Sequence, residues 1–174
     1  ATNLDVLVND DFGGDGPSSG PIFIFTLPSH GTVSVNDGGS PFDPTDDSID
    51  YTPDPNYTGT DQFTYQICDA NGDCDVAVVN LEISPVNDPP VANDDMATTP
   101  EDTPVVICLP DNDTDVDGNL DVGSVMILTN PTNGTVVLDP LTGCVTYTPN
   151  LNYNGPDVFT YKICDTGLPV YCDD

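Results

Sequence analysis

Runs such as TVSV at 32–35, QFTYQIC at 62–68 and VNLEIS at 79–84 place apolar side chains at every second position. That spacing lines one face of a pleated strand, and Gly, Pro, Asn and Asp close each run as turn formers do. The pattern predicts an all-β chain. In its first half, strands are expected near Leu4–Val8, Ile22–Thr26, Thr32–Val35, Ile49–Thr52, Gln62–Cys68 and Val76–Ser84.

The second half repeats the first. Tyr51–Asp69 (YTPDPNYTGTDQFTYQICD) returns 96 residues later as Tyr147–Asp165 (YTPNLNYNGPDVFTYKICD), with 13 of 19 positions identical, too many for chance. A period of this length suits a seven-stranded sandwich better than a helical solenoid unit. Upstream the copies align at an offset of 103, pairing PIFIFTLPSHGTVSV with SVMILTNPTNGTVVL. The fall from 103 to 96 gives the first copy seven extra residues, in the loop Asn36–Asp47.

The fold class is therefore all-β, two tandem seven-stranded sandwiches over residues 1–86 and 87–174, each incomplete at one end. A stiff linker joins them, PVNDPPVANDD at 85–95, in which adjacent prolines fix φ. In the second copy strands are expected near 91–98, 104–109, 123–129, 134–138, 143–148 and 157–164. The first copy lacks a counterpart of the opening strand, and the second lacks a counterpart of Val76–Ser84. The sequence is read as a window on a longer repeat protein, with strand exchange between filament subunits as the alternative.

Charge narrows the partners. Thirty acidic residues stand against one basic residue, Lys162, for a net charge of −29. Such a surface repels nucleic acid and anionic membrane, and only solvent cations can neutralise it. No apolar run reaches the length of a membrane helix, so direct membrane insertion is not expected.

Six cysteines fall into three positional pairs. Cys68 and Cys74 bracket one hairpin, and Cys164 and Cys172 bracket its counterpart. Cys108 and Cys144 both lack counterparts in the first copy, the joint absence that a bonded pair predicts. Free thiols and a zinc site are the alternatives, although the spacings lack the C-x₂-C pairs that zinc favours. Three disulfides would imply an oxidising, extracytoplasmic compartment.

The sharpest chemical motif is DNDTDVDGNLD at 111–121. Asp113, Asp115 and Asp117 alternate and Gly118 follows, the D-x-D-x-D-G core of calcium loops. Ser124 stands where an EF-hand needs its bidentate Glu, so a calcium loop of another kind is expected. Unit charges about 6 Å apart repel by roughly 2–3 kcal/mol at an effective dielectric of 20, and this loop holds five carboxylates. A divalent cation would reverse that sign. Asn87 and Asp88 of the linker lie close in the expected topology, and Asp111 and Asn119 complete the candidate set. The first copy keeps a thinner version, Asp10, Asp11 and Asp15.

VNDPPVANDD, TPEDTPV, DNDTDVDGN, NGTVVL, YTPNLNYNG and DVFTYKICD together resemble the tandem cadherin-like, immunoglobulin-like repeats of large bacterial surface proteins, including adhesins of gliding bacteria. The resemblance implies sandwiches strung end to end with Ca2+ at the junctions. It assigns Glu101 in Pro100-Glu101 to the junction after the second copy, Asn87 and Asp88 to the linker ligands, and Asp113, Asp115 and Asp117 to the ligand loop. The linker reads N-D-P-P where cadherins have D-x-N-D-N, so the ion number is left open.

Catalysis has no foothold in the pattern. His30 occupies a turn that Asn133 fills in the other copy, and Asp61 and Asp157 recur once per copy as corner residues would. The reading is of a non-catalytic spacer in a secreted or cell-surface adhesin or filament protein, with neighbouring repeats or subunits as partners. A module binding surface glycans is the alternative, marked by an exposed aromatic patch in one copy only, for which Phe42 is the one candidate.

Overall fold

A computed structural model describes all residues, Ala1–Asp174. The chain divides into two compact units, Ala1–Val86 and Asn87–Asp174. Each is built from two three-stranded antiparallel sheets facing each other, so each holds six strands.

In the first unit, β1 (Thr2–Leu4), β4 (Ser48–Pro53) and β3 (Gly31–Asn36) form one sheet in the order β1-β4-β3. The other has the order β2-β5-β6, from β2 (Phe23–Thr26), β5 (Gly59–Cys68) and β6 (Cys74–Ile83). Alternation along β5 sends Phe63 and Tyr65 inward, where they meet Val6, Ile22 and Ile49. The polar positions between them face out, as a two-residue period requires.

The second unit repeats the plan. β7 (Val105–Cys108), β10 (Cys144–Pro149) and β9 (Gly134–Leu138) form one sheet, and β12 (Cys172–Asp173), β11 (Thr160–Asp165) and β8 (Leu120–Thr129) the other. Its core gathers Leu109, Val125, Val145 and Ile163. Three disulfides join Cys68 to Cys74, Cys108 to Cys144 and Cys164 to Cys172, and no cysteine is free.

Two expected strands do not form as expected. Residues 92–104 hold no strand, and only Val91 bridges, to Thr114. The segment is polar, and the side chains of its neighbours take its backbone groups, as Asp113 does for the Asn93 amide. At the start, pairing covers Thr2–Leu4 rather than reaching Val8, because the chain turns at Leu7, whose carbonyl accepts from the Asp10 amide.

Candidate calcium site and corner carboxylates

In each unit one tyrosine ring lies over a glycine and its hydroxyl meets an aspartate, buried in the first unit and half-buried in the second. Asp61 accepts from the Ser29 and His30 amides at 3.0 Å each, from its own neighbour Gln62 at 2.8 Å and from Tyr51 Oη at 3.0 Å. Asp157 does the same with Thr132, Asn133, Val158 and Tyr147. A Cβ on Gly31 or Gly134 would strike the ring of Tyr51 or Tyr147, so these positions need glycine.

Burial alone would push both carboxyls up, but the converging donors outweigh it and hold them below the ordinary 3.8. Burial, then Asp61, pushes the Tyr51 hydroxyl up to about 12. A depressed carboxyl stabilises the fold above its unfolded pKa, and that contribution disappears as pH falls through the folded value. Acid unfolding is thus expected to begin below about pH 4. Asp61→Asn is expected to lower stability by about 2 kcal/mol, since an amide nitrogen would face N–H donors, and to flatten the acid limb of a melting-temperature profile against pH.

A second tyrosine pairing also recurs. Tyr65 donates to Asp10 at 2.6 Å, and Tyr161 donates to Asp113 at 2.9 Å. Asp113 is buried and also accepts from the Asn93 amide at 2.7 Å. Its side chain is thus spoken for within the scaffold. Asp95 lies beside it, its carboxyl raised by burial and then by Asp113, with Oδ2 buried and unpartnered.

The rest of the acidic loop meets the start of the unit. Asp117 Oδ2 accepts from the Asp88 amide at 2.7 Å, and Asp115 Oδ1 accepts from the Asp117 amide at 2.8 Å. Asn87 donates to Asp165 Oδ2 at 2.8 Å and to the Pro169 carbonyl at 2.9 Å, and its Oδ1 accepts from Asn119 at 2.8 Å. The side chain of Asn87 lies against Gly167, where a Cβ would collide with it.

Asn119 cannot satisfy its surroundings either way round. With its nitrogen toward Asn87, its oxygen faces two acceptors, the Asp115 oxygens at 3.0 and 3.2 Å. Turned over, the amide donates to Asp115 but brings its oxygen against Asn87 Oδ1 at 2.8 Å. Asn87 cannot turn in compensation, because its nitrogen already serves two acceptors. Either the Asn119 oxygen meets the two Asp115 oxygens on one side, or it meets the Asn87 oxygen on the other, and a proton is lacking in both arrangements.

Not every candidate joins this cluster. Asp111 is exposed in a short 3-10 turn, Leu109–Asp111. Glu101 lies at the other end of the unit, in a turn whose Asp102 accepts from the Asn152 amide at 2.7 Å. No three Asp, Glu, His or Cys side chains converge to hold a metal by themselves, and the crowded oxygens come from one carboxylate and two amides. Asp165 was not singled out by the sequence, although its buried position in the stapled hairpin makes it the anchor of Asn87. The signal for it was the recurrence of Asp69, which binds the Asn71 and Asp73 amides in the same hairpin of the first unit.

His30 stacks on Tyr57, with ring centroids 4.1 Å apart and planes 8° from parallel. Phe42 is exposed, but so are Phe23 and Phe25, which corrects the expectation that the inserted loop alone presents an aromatic side chain. No helix is long and apolar enough to cross a membrane.

Comparison with known proteins returned no match among curated proteins and none among solved structures. A family model for the bacterial Ig domain matches residues 1–82 and again 87–168, nearly the whole chain. The chain therefore belongs to the bacterial Ig domain family, as two tandem copies.

Proposed function

We propose that the chain is a calcium-stabilised spacer of a secreted or cell-surface adhesin or filament protein, in which Ca2+ stiffens the junction between repeats. The observation that carries this reading is the crowding of Asn87, Asn119 and Asp115 oxygens, which no amide orientation relieves. Calcium takes six to eight oxygens, amide and backbone carbonyls included, so this donor set fits it. Bound there, it would supply the positive charge that lets the Asn119 oxygen face the Asp115 carboxylate while its nitrogen keeps the bond to Asn87. Asn87, Asp115, Asp117 and Asn119 would hold it; Asp88 is kept beside them by its amide bond to Asp117, and Asp113, engaged by Tyr161 and the Asn93 amide, stays outside.

The junction role follows from which residues are held. Asn87 and Asp88 are the first two of the second unit, directly after Val86. A cation on the Asn87 amide would fix where the chain enters that unit. Repetition supports a spacer, since the two copies share their corners, hairpins and cores and no nucleophile stands beside a base. Export to an oxidising compartment is supported by three disulfides in one short chain.

The test is calcium-dependent melting of the chain and of Asn119→Ala. Calcium at 100 times its dissociation constant is expected to stabilise the second unit by about 2.7 kcal/mol, read as several degrees of melting temperature. Asn119→Ala should lose most of that shift. Gly167→Ala, which displaces Asn87 without removing an oxygen, should weaken it too. A melting temperature indifferent to calcium and chelator in the native chain would sink the proposal, as would scattering profiles unchanged by chelation for the junction role.

A further inference from the structure

The outer face of the β2-β5-β6 sheet carries almost no charge on a protein of net charge −29. Pairing sets Phe23 beside Gln66 and Gln66 beside Val76, Thr64 beside Val78, and Gln62 beside Asn80. These positions alternate with the buried Phe63 and Tyr65, so they point outward. Phe23 is 62% exposed, and Phe25, displaced by the irregularity between Ile24 and Thr26, is 57% exposed. Glu82, paired with Thr60 at one end, is the single charge among the outward positions.

At that same end the face opens into a shallow hollow of about 520 Å3, lined by Ser29, His30, Thr60, Asp61, Gln62 and Asn80, with Leu81 as its one apolar residue. Asp61 has both oxygens engaged by backbone and tyrosine donors, so hydroxyls, amides and an imidazole remain. The His30 ring is backed by Tyr57.

This surface is not part of the shared scaffold. Phe23, Phe25, His30, Gln62 and Gln66 of the first unit correspond to Met126, Leu128, Asn133, Val158 and Lys162 of the second. The second unit folds without the aromatic and amide set, so folding does not require it.

We infer that this face and its hollow bind a neutral polysaccharide, independently of the calcium reading. Sugar hydroxyls pair with amides that both donate and accept, and the C–H faces of sugar rings lie on aromatic side chains. Neutrality follows from the charge: uronic or sulfated chains are repelled by the acidic surface, whereas a neutral polymer meets no such repulsion on a face that carries only Glu82. A second copy of the chain would bring the same −29 and is disfavoured for that reason.

The experiment is affinity electrophoresis of the full chain, with chelator present to prevent cation bridging. The gels carry galactomannan, xyloglucan, dextran or laminarin, with alginate and heparin as the anionic comparison. At least one neutral polymer is expected to retard the protein, and neither anionic one. The variant Phe23→Met, Phe25→Leu, His30→Asn and Gln62→Val, which takes each residue from the second unit, should lose retardation at least tenfold at an unchanged melting temperature. Should that variant misfold, Gln62→Ala with Asn80→Ala, both exposed, replaces it. Phe42→Ala should bind as the native chain does. Retardation by none of the neutral polymers, equal retardation by alginate or heparin, undiminished binding by the face variants, or loss in Phe42→Ala would each overturn the inference.

Discussion

Phe63→Ala is expected to destabilise the first unit by about 3–5 kcal/mol, the largest effect of any single truncation in the chain. Phe63 is fully buried at the centre of β5, directly opposite Val79 of β6, and meets Val6, Ile22, Ile49 and Tyr65. Removing the ring takes away its transfer free energy and leaves a cavity that β5, paired along its whole length with β6, cannot close. A unit of this size has a stability of about 4–13 kcal/mol, at about 0.05–0.15 kcal/mol per residue. The counterpart Phe159 is only half-buried, because no long strand pairs along β11 as β6 pairs along β5. Phe159→Ala should therefore cost clearly less. Urea unfolding of the two variants, followed by a probe in each unit, checks the difference, and equal losses would contradict it.

Opening the Cys108–Cys144 disulfide by double substitution with alanine is expected to cost the second unit about 3–4 kcal/mol on the chain-entropy estimate. The bond spans 36 residues, against 6 and 8 for the hairpin staples, so it removes the most freedom from the unfolded chain. It also ties the start of β10 to the end of β7, at a non-consecutive pairing in that sheet. The first unit has no equivalent and serves as the internal reference, since its own transition should not move. Differential scanning calorimetry of the double variant should show one transition shifted and one unchanged. A second-unit transition that stays in place would refute the estimate.

Much of this was legible in the sequence because it is local or repeated. Two-residue alternation marks strands, and the recurrence of Tyr51–Asp69 as Tyr147–Asp165 aligned the copies and gave their boundaries at the linker. The cysteine positions indicated the disulfides for the same reason, since partners on adjacent strands of a hairpin, or absent together, leave a trace in the alignment. The strand expected over 91–98 failed because Asn93, Asp94 and Asp95 interrupt it and its backbone groups find side-chain partners instead of a ladder.

The candidate site was legible only in part. The D-x-D-x-D-G spacing marked the loop, but spacing cannot say which way each carboxylate turns. Asp113 turns to Tyr161, as Asp10 turns to Tyr65, so one member of the motif is shared with the corner of the fold. Asp117 and Asn119 instead meet Asp88 and Asn87, which are distant in sequence, and Asp115 lies against Asn119. Asp165 and Gly167, from a third part of the chain, seat Asn87 there.

By itself, then, the sequence determined the strands, the duplication, the staples and the acidity of the loop, because each is written in residue order or in the comparison of one copy with the other. Only the tertiary structure decided which oxygens face one another at Asn119, and that Phe23, Phe25 and Gln62 share one uncharged face. Both depend on strand register and on contacts between segments tens of residues apart, and a one-residue change of register would turn every such side chain to the other side.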